Sequence, residues 1–173
     1  MIVRRAEISD AKQIAKVHVD SWRTTYKGII PDDVLDSLSY QKREERWAII
    51  IPNDFVFVAE TKEGESVGFS TGAKERSGNY KGYFGEISSI YILEEHQGKG
   101  LGKSLVKPII QELEKLEIYS MIVLVLEDND SRLFYESLGA KKIDKLQVEI
   151  GGKKLNELVY GWGNTKTIYK DNG

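Results

Sequence analysis

The chain has 173 residues, of which 40% are hydrophobic, and it carries a formal net charge of -2. This length and apolar content suit one compact domain with a full core and leave little room for a second. The near-neutral charge excludes a strong electrostatic footprint for nucleic acid or an anionic membrane, and the absence of cysteine excludes disulfides, thiolate nucleophiles and cysteine metal sites.

The first third of the chain predicts a strand followed by two helical regions. Residues 2–5 form the strand, and Ser9 or Asp10 can cap a helix after it. The apolar stripe of that helix consists of Ile14, Val17, Ser21/Trp22 and Thr25/Tyr26. A second helical region starts at residues 31–33, continues through the charged residues 41–46 to Trp47, and ends at Asn53.

The middle of the chain predicts three strands and a helix. Residues 55–59 and 66–70 form a hairpin around the turn at 61–65, and residues 83–93 form a third strand. A helical pattern then runs from Leu101 to Leu116. Pro108 is expected to interrupt and kink this helix, because proline removes the N–H that would bond to the Ser104 carbonyl.

The last third predicts a short buried strand over 121–126 and a short helix over 130–138 that ends at Gly139. A closing hairpin over 142–162 turns at Gly151-Gly152. We therefore expect one domain over 1–163 and a loose polar tail over 164–173. The element order predicts a mixed α/β sheet covered by helices.

A glycine-rich loop, Gln97-Gly98-Lys99-Gly100-Leu101-Gly102, lies between the third strand and the helix that follows it. Glycines at such a junction let the backbone approach a ligand, and the free N–H groups and positive dipole end of the helix favour a phosphate. A P-loop would need glycine at position 97, which is Gln97. A dinucleotide fingerprint would need glycine at position 103, which is Lys103. Both nucleotide motifs are therefore excluded.

The loop fits the pattern Gln/Arg-x-x-Gly-x-Gly/Ala through Gln97, Gly100 and Gly102. In this it resembles the acetyl-CoA pyrophosphate loop of the GNAT superfamily of N-acetyltransferases. A second block, residues 129–140, resembles the family's Asn...Phe-Tyr-x-x-Leu-Gly segment. The element order is also that of the GNAT fold, so the resemblance implies a mixed, mostly antiparallel central sheet flanked by helices.

The resemblance implies acetyl-CoA as cosubstrate and assigns residues to it. The loop residues Gln97, Gly98, Lys99, Gly100, Leu101, Gly102 and Lys103 would hold the pyrophosphate. Ile90, Tyr91 and Ile92 would present backbone groups to the pantetheine arm, one N–H serving as oxyanion donor. Asn129 would bond the pantetheine amide, although the usual spacing of seven residues before the tyrosine falls on Asp128.

The implied reaction is direct transfer of acetyl to an amine, with no covalent enzyme intermediate. Tyr135 resembles the family tyrosine that acts as general acid toward the leaving thiolate. Glu86, at the start of the strand that leads to the loop, lies where many relatives carry the general base, with Glu127 and Asp20 as weaker candidates. Each of these residues could instead have a purely structural role, in the core, at a helix cap or on the solvent-exposed surface.

The acceptor is the least readable part of the sequence. In relatives the first two helices line the acceptor pocket, so Trp22 and Tyr26 are the candidate substrate-binding residues. The resemblance implies that the acceptor is a small-molecule amine or a protein N-terminus. Neither nucleic acid nor membrane is expected as a partner, and the family allows a homodimer. The alternatives are a noncatalytic acyl-CoA-binding module and a phosphate-binding protein of unrelated fold that shares only a glycine-rich turn.

No metal is expected, because the two histidines are far apart in sequence and lack an HExxH arrangement. The first residues lack the long apolar core of a signal peptide. No stretch approaches the roughly 18 apolar residues of a membrane span. These observations lead us to expect a cytoplasmic protein.

Overall fold

The computed structural model describes residues 1–169. Its strands are β1 (Ile2–Arg5), β2 (Phe55–Glu60), β3 (Ser66–Lys74), β4 (Gly85–Ile92), β5 (Met121–Leu126), β6 (Lys141–Ile150) and β7 (Lys153–Trp162). Its helices are α1 (Ala11–Thr25), α2 (Asp32–Asp36), α3 (Tyr40–Ile50), α4 (Leu101–Lys115) and α5 (Ser131–Ser137).

The seven strands form one sheet in the order β1-β2-β3-β4-β5-β7-β6. Neighbouring strands are antiparallel except β4 and β5, which are parallel. Alternate residues of β2 face opposite layers: Phe57 packs in the core under α4, whereas Val56 and Val58 pack under α1 and α3. The predicted mixed, mostly antiparallel sheet flanked by helices is confirmed.

The second helical region is two helices, so the prediction of one continuous region through Trp47 was wrong. The chain leaves the helical path after Asp36, and α3 begins again behind Ser39. The Ser39 hydroxyl accepts a hydrogen bond of 3.2 Å from the Lys42 N–H, which is the geometry of an N-cap. The helix α2 has already ended at Asp36, and Ser39 starts the next helix as its N-cap.

Pro108 does not interrupt α4, contrary to the sequence prediction. The helix continues from Leu101 through Pro108 to Lys115. Its inner face is held by Leu105 and Ile109, which are completely buried against the sheet. Proline removes one backbone donor, and the packing on both sides of it outweighs that loss. A bend at this position stays a prediction.

The parallel strands β4 and β5 separate towards their carboxyl ends. They pair only where residues 85–87 lie beside 121–123. On its other side β4 remains paired with β3, where the register shift leaves Ser88 as an extra, bulged residue. Beyond this point the middle of the sheet opens, and its two freed strand edges line a cleft.

The segment after β7 is packed, which corrects the expected loose tail as far as the structure describes it. Thr165 and Ile168 are buried, and a short 3-10 helix spans Thr165–Thr167. The Tyr169 hydroxyl donates a hydrogen bond to the Lys103 carbonyl at the start of α4. Residues 170–173 of the predicted tail lie outside the described residues, and the boundary at Gly163 stays a prediction.

Candidate active site

The glycine loop adopts a backbone that only glycine tolerates well. Gly98 has a φ of +75° and Gly100 a φ of +82°, and a Cβ on either would meet nothing within 4 Å. Backbone conformation, not space, therefore requires glycine at both positions. The Gln97 side chain donates a hydrogen bond of 2.9 Å to the Ile92 carbonyl, which ties the loop to the end of β4.

The start of α4 offers free donors toward this loop. The Ser104 N–H makes the first bond of the helix, to the Gly100 carbonyl at 3.3 Å. The N–H groups of Leu101, Gly102 and Lys103 precede that bond and so have no carbonyl partner within the helix. Together with the positive end of the helix dipole they form an arrangement that suits a pyrophosphate.

Gly102 has a different reason to be glycine. A Cβ there would lie 3.0 Å from the Phe134 ring, so a side chain would displace the aromatic group. Phe134 belongs to α5, which means that the two sequence blocks meet in space at this contact. The glycine loop and the Asn129 to Ala140 block form one site.

A cavity of about 560 Å³ lies between the loop, the freed edge of β4 and α5. Its lining includes Ile90, Tyr91, Ile92, Gln97, Gly98, Gly100, Leu101, Gly102, Lys103, Asp128, Asn129, Ser131, Phe134 and Tyr135. The predicted loop residue Lys99 is exposed and is absent from this lining.

The β4 edge in this cavity carries backbone donors that no other strand of residues 1–169 uses. The Leu93 N–H bonds to the Val67 carbonyl at 2.9 Å, toward β3. Because successive N–H groups of a strand point to opposite sides, those of Ile92 and Ile90 point away from β3 and into the cleft. An extended ligand can therefore add to this edge as a further strand would.

The block that follows β5 is built around Asn129. The Asn129 Oδ1 accepts a hydrogen bond of 2.9 Å from the Ser131 N–H, so this side chain closes a turn just before α5. Asn129 and Asp128 both line the cavity, so the difference between six-residue and seven-residue spacing does not remove either from the site.

Tyr135 is the most enclosed polar side chain of the site. The residue is 5% exposed, and its ring packs edge-on against Trp162 with centroids 6.1 Å apart. Among residues 1–169 its hydroxyl makes no hydrogen bond. Burial raises the pKa of Tyr135 well above its ordinary value, so the phenol keeps its proton.

A second cavity of about 290 Å³ lies on the other side of Tyr135. It holds Glu86, and Trp22 and Tyr26 of α1 form its wall. Burial is the largest cause that raises the pKa of Glu86, and the charge of Glu75 raises it further. A carboxylate with this shift is a better proton acceptor than an exposed one.

An aromatic cluster supports the wall of the second cavity from behind. The buried His18 ring stacks on Tyr91, with centroids 5.8 Å apart and planes at 16°. Its Nδ1 accepts a hydrogen bond of 3.1 Å from Trp47, and burial lowers the pKa of His18 to about 4, so it is neutral. The Tyr91 hydroxyl shares a hydrogen bond of 2.9 Å with Tyr26. These contacts fix the orientation of Tyr91 between the two cavities.

The two cavities meet at a shared wall. Ile90, Tyr91, Asn129, Ser131 and Tyr135 line both. Apart from Lys99, the structure thus brings the predicted cofactor residues, the predicted acid Tyr135 and the predicted base Glu86 to these two adjoining cavities.

The weaker base candidates lie elsewhere. Asp20 is bound by Lys16 at 2.6 Å and by the Tyr40 hydroxyl at 2.5 Å. Glu127 pairs with Lys145 at 3.3 Å. Neither lines either cavity.

Sequence reasoning did not find Glu157, which lines the second cavity from β7. Burial raises its pKa. The feature that could have revealed Glu157 is its position in the middle of a strand. Residues 158–162, which follow it, are all buried. A charged residue in such a run either disturbs the core or faces a cavity.

Two sequence comparisons identify the family. A family model described as FR47-like protein matches residues 68–148, which include both the glycine loop and the α5 block. An uncharacterized N-acetyltransferase of Bacillus subtilis (strain 168), YuaI, is 42% identical over 166 residues, covering 96% of this chain and 95% of that protein. The chain belongs to the GNAT superfamily of N-acetyltransferases.

Solved GNAT structures share the fold. The PaiA N-acetyltransferase of Thermoplasma acidophilum, in complex with coenzyme A, superposes with a TM-score of 0.75 at 20% identity, covering 92% of this chain and 96% of that one. A GNAT superfamily phosphinothricin acetyltransferase of Sinorhizobium meliloti, in complex with acetyl-CoA, gives 0.70 at 20% identity, covering 93% and 86%. The opened sheet and its helices are therefore the GNAT architecture.

Within residues 1–169, no helix combines the length and apolar character that a membrane crossing requires. No group of three or more histidine, aspartate or glutamate side chains in the described part of the chain is placed to hold a metal ion.

Proposed function

We propose that this protein is an acetyl-CoA-dependent N-acetyltransferase that transfers the acetyl group directly to an amine. The observation that carries this proposal is the meeting of the two cavities at Tyr135, with free backbone donors on one side and Glu86 on the other. Direct transfer needs both reactants at one point, and a binding module would need only the first cavity. The named relative and the cofactor-bound GNAT structures support the same activity.

The residues of the first cavity fit coenzyme A. Free N–H groups at the start of α4 suit the pyrophosphate, and Lys103 adds positive charge beside them. The N–H groups of Ile90 and Ile92 suit the amide groups of the pantetheine arm, and one of them can stabilise the oxyanion. When bound, acetyl-CoA supplies an activated acetyl group as a thioester.

Glu86 accepts the proton that an ammonium group must lose before its nitrogen can attack. The backbone N–H groups of β4 stabilise the negative charge on the carbonyl oxygen while the new C–N bond forms. Tyr135 donates its proton to the sulfur as the C–S bond breaks. The products are an amide and a free thiol, with one net proton released.

The acceptor is an amine, either a small molecule or a protein N-terminus. A cytoplasmic location belongs to this proposal because acetyl-CoA is made and used inside cells. A homodimer, which the family allows, stays a prediction that sedimentation of the purified protein tests.

A thiol-release screen tests the proposal. The protein contains no cysteine, so every thiol detected comes from the cosubstrate. We expect thiol release from acetyl-CoA to depend on added amine, and mass spectrometry to find the acetylated amine. Saturable binding of acetyl-CoA without thiol release across a diverse amine panel would instead establish the noncatalytic module.

A further inference from the structure

The second cavity, where we propose that the acceptor binds, contains a second carboxylate besides Glu86. This residue is Glu157, which lies on the far side of β5 from Glu86. Glu86 lies opposite Ile122 of β5, and Glu157 lies opposite Leu126 of the same strand. Side chains directly opposite each other share a face, and residues four apart in a strand share one too. Both glutamates therefore point to the same face of the sheet, with β5 between them.

Within the part of the chain that the structure describes, no lysine, arginine or histidine lines the second cavity to neutralise these two carboxylates. No ion pair among residues 1–169 involves the Glu157 carboxylate, and partial burial raises its pKa. Arg76 acts on Glu86 from outside but is paired with Asp54 at 2.5 Å. Two half-buried carboxylates without a cation between them make the cavity a favourable site for positive charge.

The aromatic wall adds to this preference. Trp22 and Tyr26 meet edge-on with centroids 4.9 Å apart, and Tyr91 stands beside them. The negative faces of aromatic rings attract ammonium groups. The volume of about 290 Å³ is at the lower limit of small-molecule pockets, so the occupant is small.

Tyr135 marks the end of the second cavity that adjoins the first, where the acetyl group is transferred in the proposed reaction. Its hydroxyl is unpartnered among the described residues, and the 5% exposed residue lines both cavities. The acetyl group arrives from the Tyr135 side, so the attacking nitrogen lies there and needs only one of the two carboxylates as base. The other carboxylate is left to face a different part of the acceptor.

We propose that Glu157 binds a second ammonium group of the acceptor, so that the enzyme acetylates one end of a small aliphatic diamine. This inference rests on the proposed acetyltransferase activity. The nitrogen near Tyr135 loses its proton to Glu86 and forms the amide. The distant ammonium keeps its proton, pairs with Glu157 and takes no part in bond making.

The test compares diamines with monoamines of the same chain length. Thiol release is measured with 1,4-diaminobutane and 1,5-diaminopentane against butylamine and pentylamine. We expect the diamines to have a kcat/KM at least about tenfold higher, since a desolvated charge pair contributes at least this much. Equal kcat/KM values for the two classes would overturn the inference and leave the proposed function intact.

Glu157→Gln assigns the effect to this residue. The variant should lower kcat/KM for the diamines about tenfold, mainly through KM, and leave the monoamines nearly unchanged. Glu149→Gln, which removes an exposed charge from the neighbouring strand β6, serves as the matched control. Equal losses for both amine classes in Glu157→Gln would contradict the recognition role.

Calorimetric titration of 1,4-diaminobutane into the CoA-saturated protein gives a readout without turnover. Binding should weaken in Glu157→Gln and persist in Glu149→Gln. If Glu157→Gln does not fold, the wild-type comparison of diamines with monoamines still decides the inference. Absence of thiol release with every amine would overturn the proposed function, and this inference with it.

Discussion

Tyr135 combines deep burial with a hydroxyl that no described residue engages. Because the residue lines both cavities, a ligand bound there can complete the hydrogen bond of the phenol. The raised pKa keeps the phenol protonated at neutral pH, so its proton is present when the thiolate leaves. Its position between the two cavities is the reason that we propose Tyr135 as the general acid.

Tyr135→Phe should lower kcat at least about a hundredfold, the usual loss when a general acid is removed. Acetyl-CoA affinity should change little, because the ring and its packing remain. Steady-state kinetics and calorimetry measure the two quantities. Tyr160→Phe is the control, since the Tyr160 hydroxyl lies 3.3 Å from Glu136, away from both cavities. Unchanged turnover in Tyr135→Phe would remove this residue from the mechanism.

If Glu86 is the general base, its protonation sets how kcat/KM falls on the acid side of the pH profile. Its pKa is raised, so the carboxylate that accepts the proton is lost at a higher pH than for an exposed glutamate, whose pKa is about 4.5. As pH falls through the raised pKa, kcat/KM should fall with it. The charge of Glu157 is one cause of the shift, so Glu157→Gln should move this acid limb to lower pH. An acid limb that stays in place in Glu86→Gln would show that another group titrates.

The loop before α4 has a matched counterpart elsewhere in the fold. Gly100 and Gly64 both have a φ of +82°, and a Cβ on either meets open space. Gly64 lies in the turn between β2 and β3, away from the cavities. The two glycines therefore have the same backbone conformation, and only Gly100 lines the cavity proposed for acetyl-CoA.

Gly100→Val and Gly64→Val should each lower the free energy of unfolding by about 1–2 kcal/mol, the cost of the left-handed conformation for a side chain. Only Gly100→Val should also weaken acetyl-CoA binding, because the loop must shift where the pyrophosphate lies. Urea unfolding and calorimetry separate the two effects. Equal acetyl-CoA affinities in the two variants would argue against a pyrophosphate at this loop.

The separation of β4 from β5 is a property of the whole sheet. Residues 85–87 are held on both sides, whereas Ile90 and Ile92 keep only β3 as a strand neighbour. The opening joins the two cavities and lets both substrates approach one strand from opposite directions. Without it the freed donors of β4 would be used by β5.

Amide hydrogen exchange tests this arrangement in the intact molecule. Adding acetyl-CoA should slow exchange at Ile90 and Ile92, whose N–H groups face the cleft. The Tyr91 N–H already points to β3 and should change least, which makes it an internal control. Equal protection of all three amides would indicate general stiffening in place of strand-like binding.

The sequence by itself determined the strands and the α4 and α5 blocks, and its resemblance to the GNAT superfamily predicted the ligand of the loop. Local rules decide these features: hydrophobic period, caps, and glycine where φ is positive. Its errors were local as well. We predicted a continuous helical region across Ser39, which instead caps a new helix. We also predicted that Pro108 would interrupt α4, whose buried face keeps the helix continuous.

Only the tertiary structure decided how these parts form a site. The contact of Gly102 with Phe134, the opening between β4 and β5, and the position of Glu157 each depend on pairings between segments far apart in the chain. Strand register sets which side chains share a face, and no local pattern contains that register. The sequence therefore predicted a cofactor loop and identified its family, and the folded sheet placed a second carboxylate in the same cavity as the predicted base.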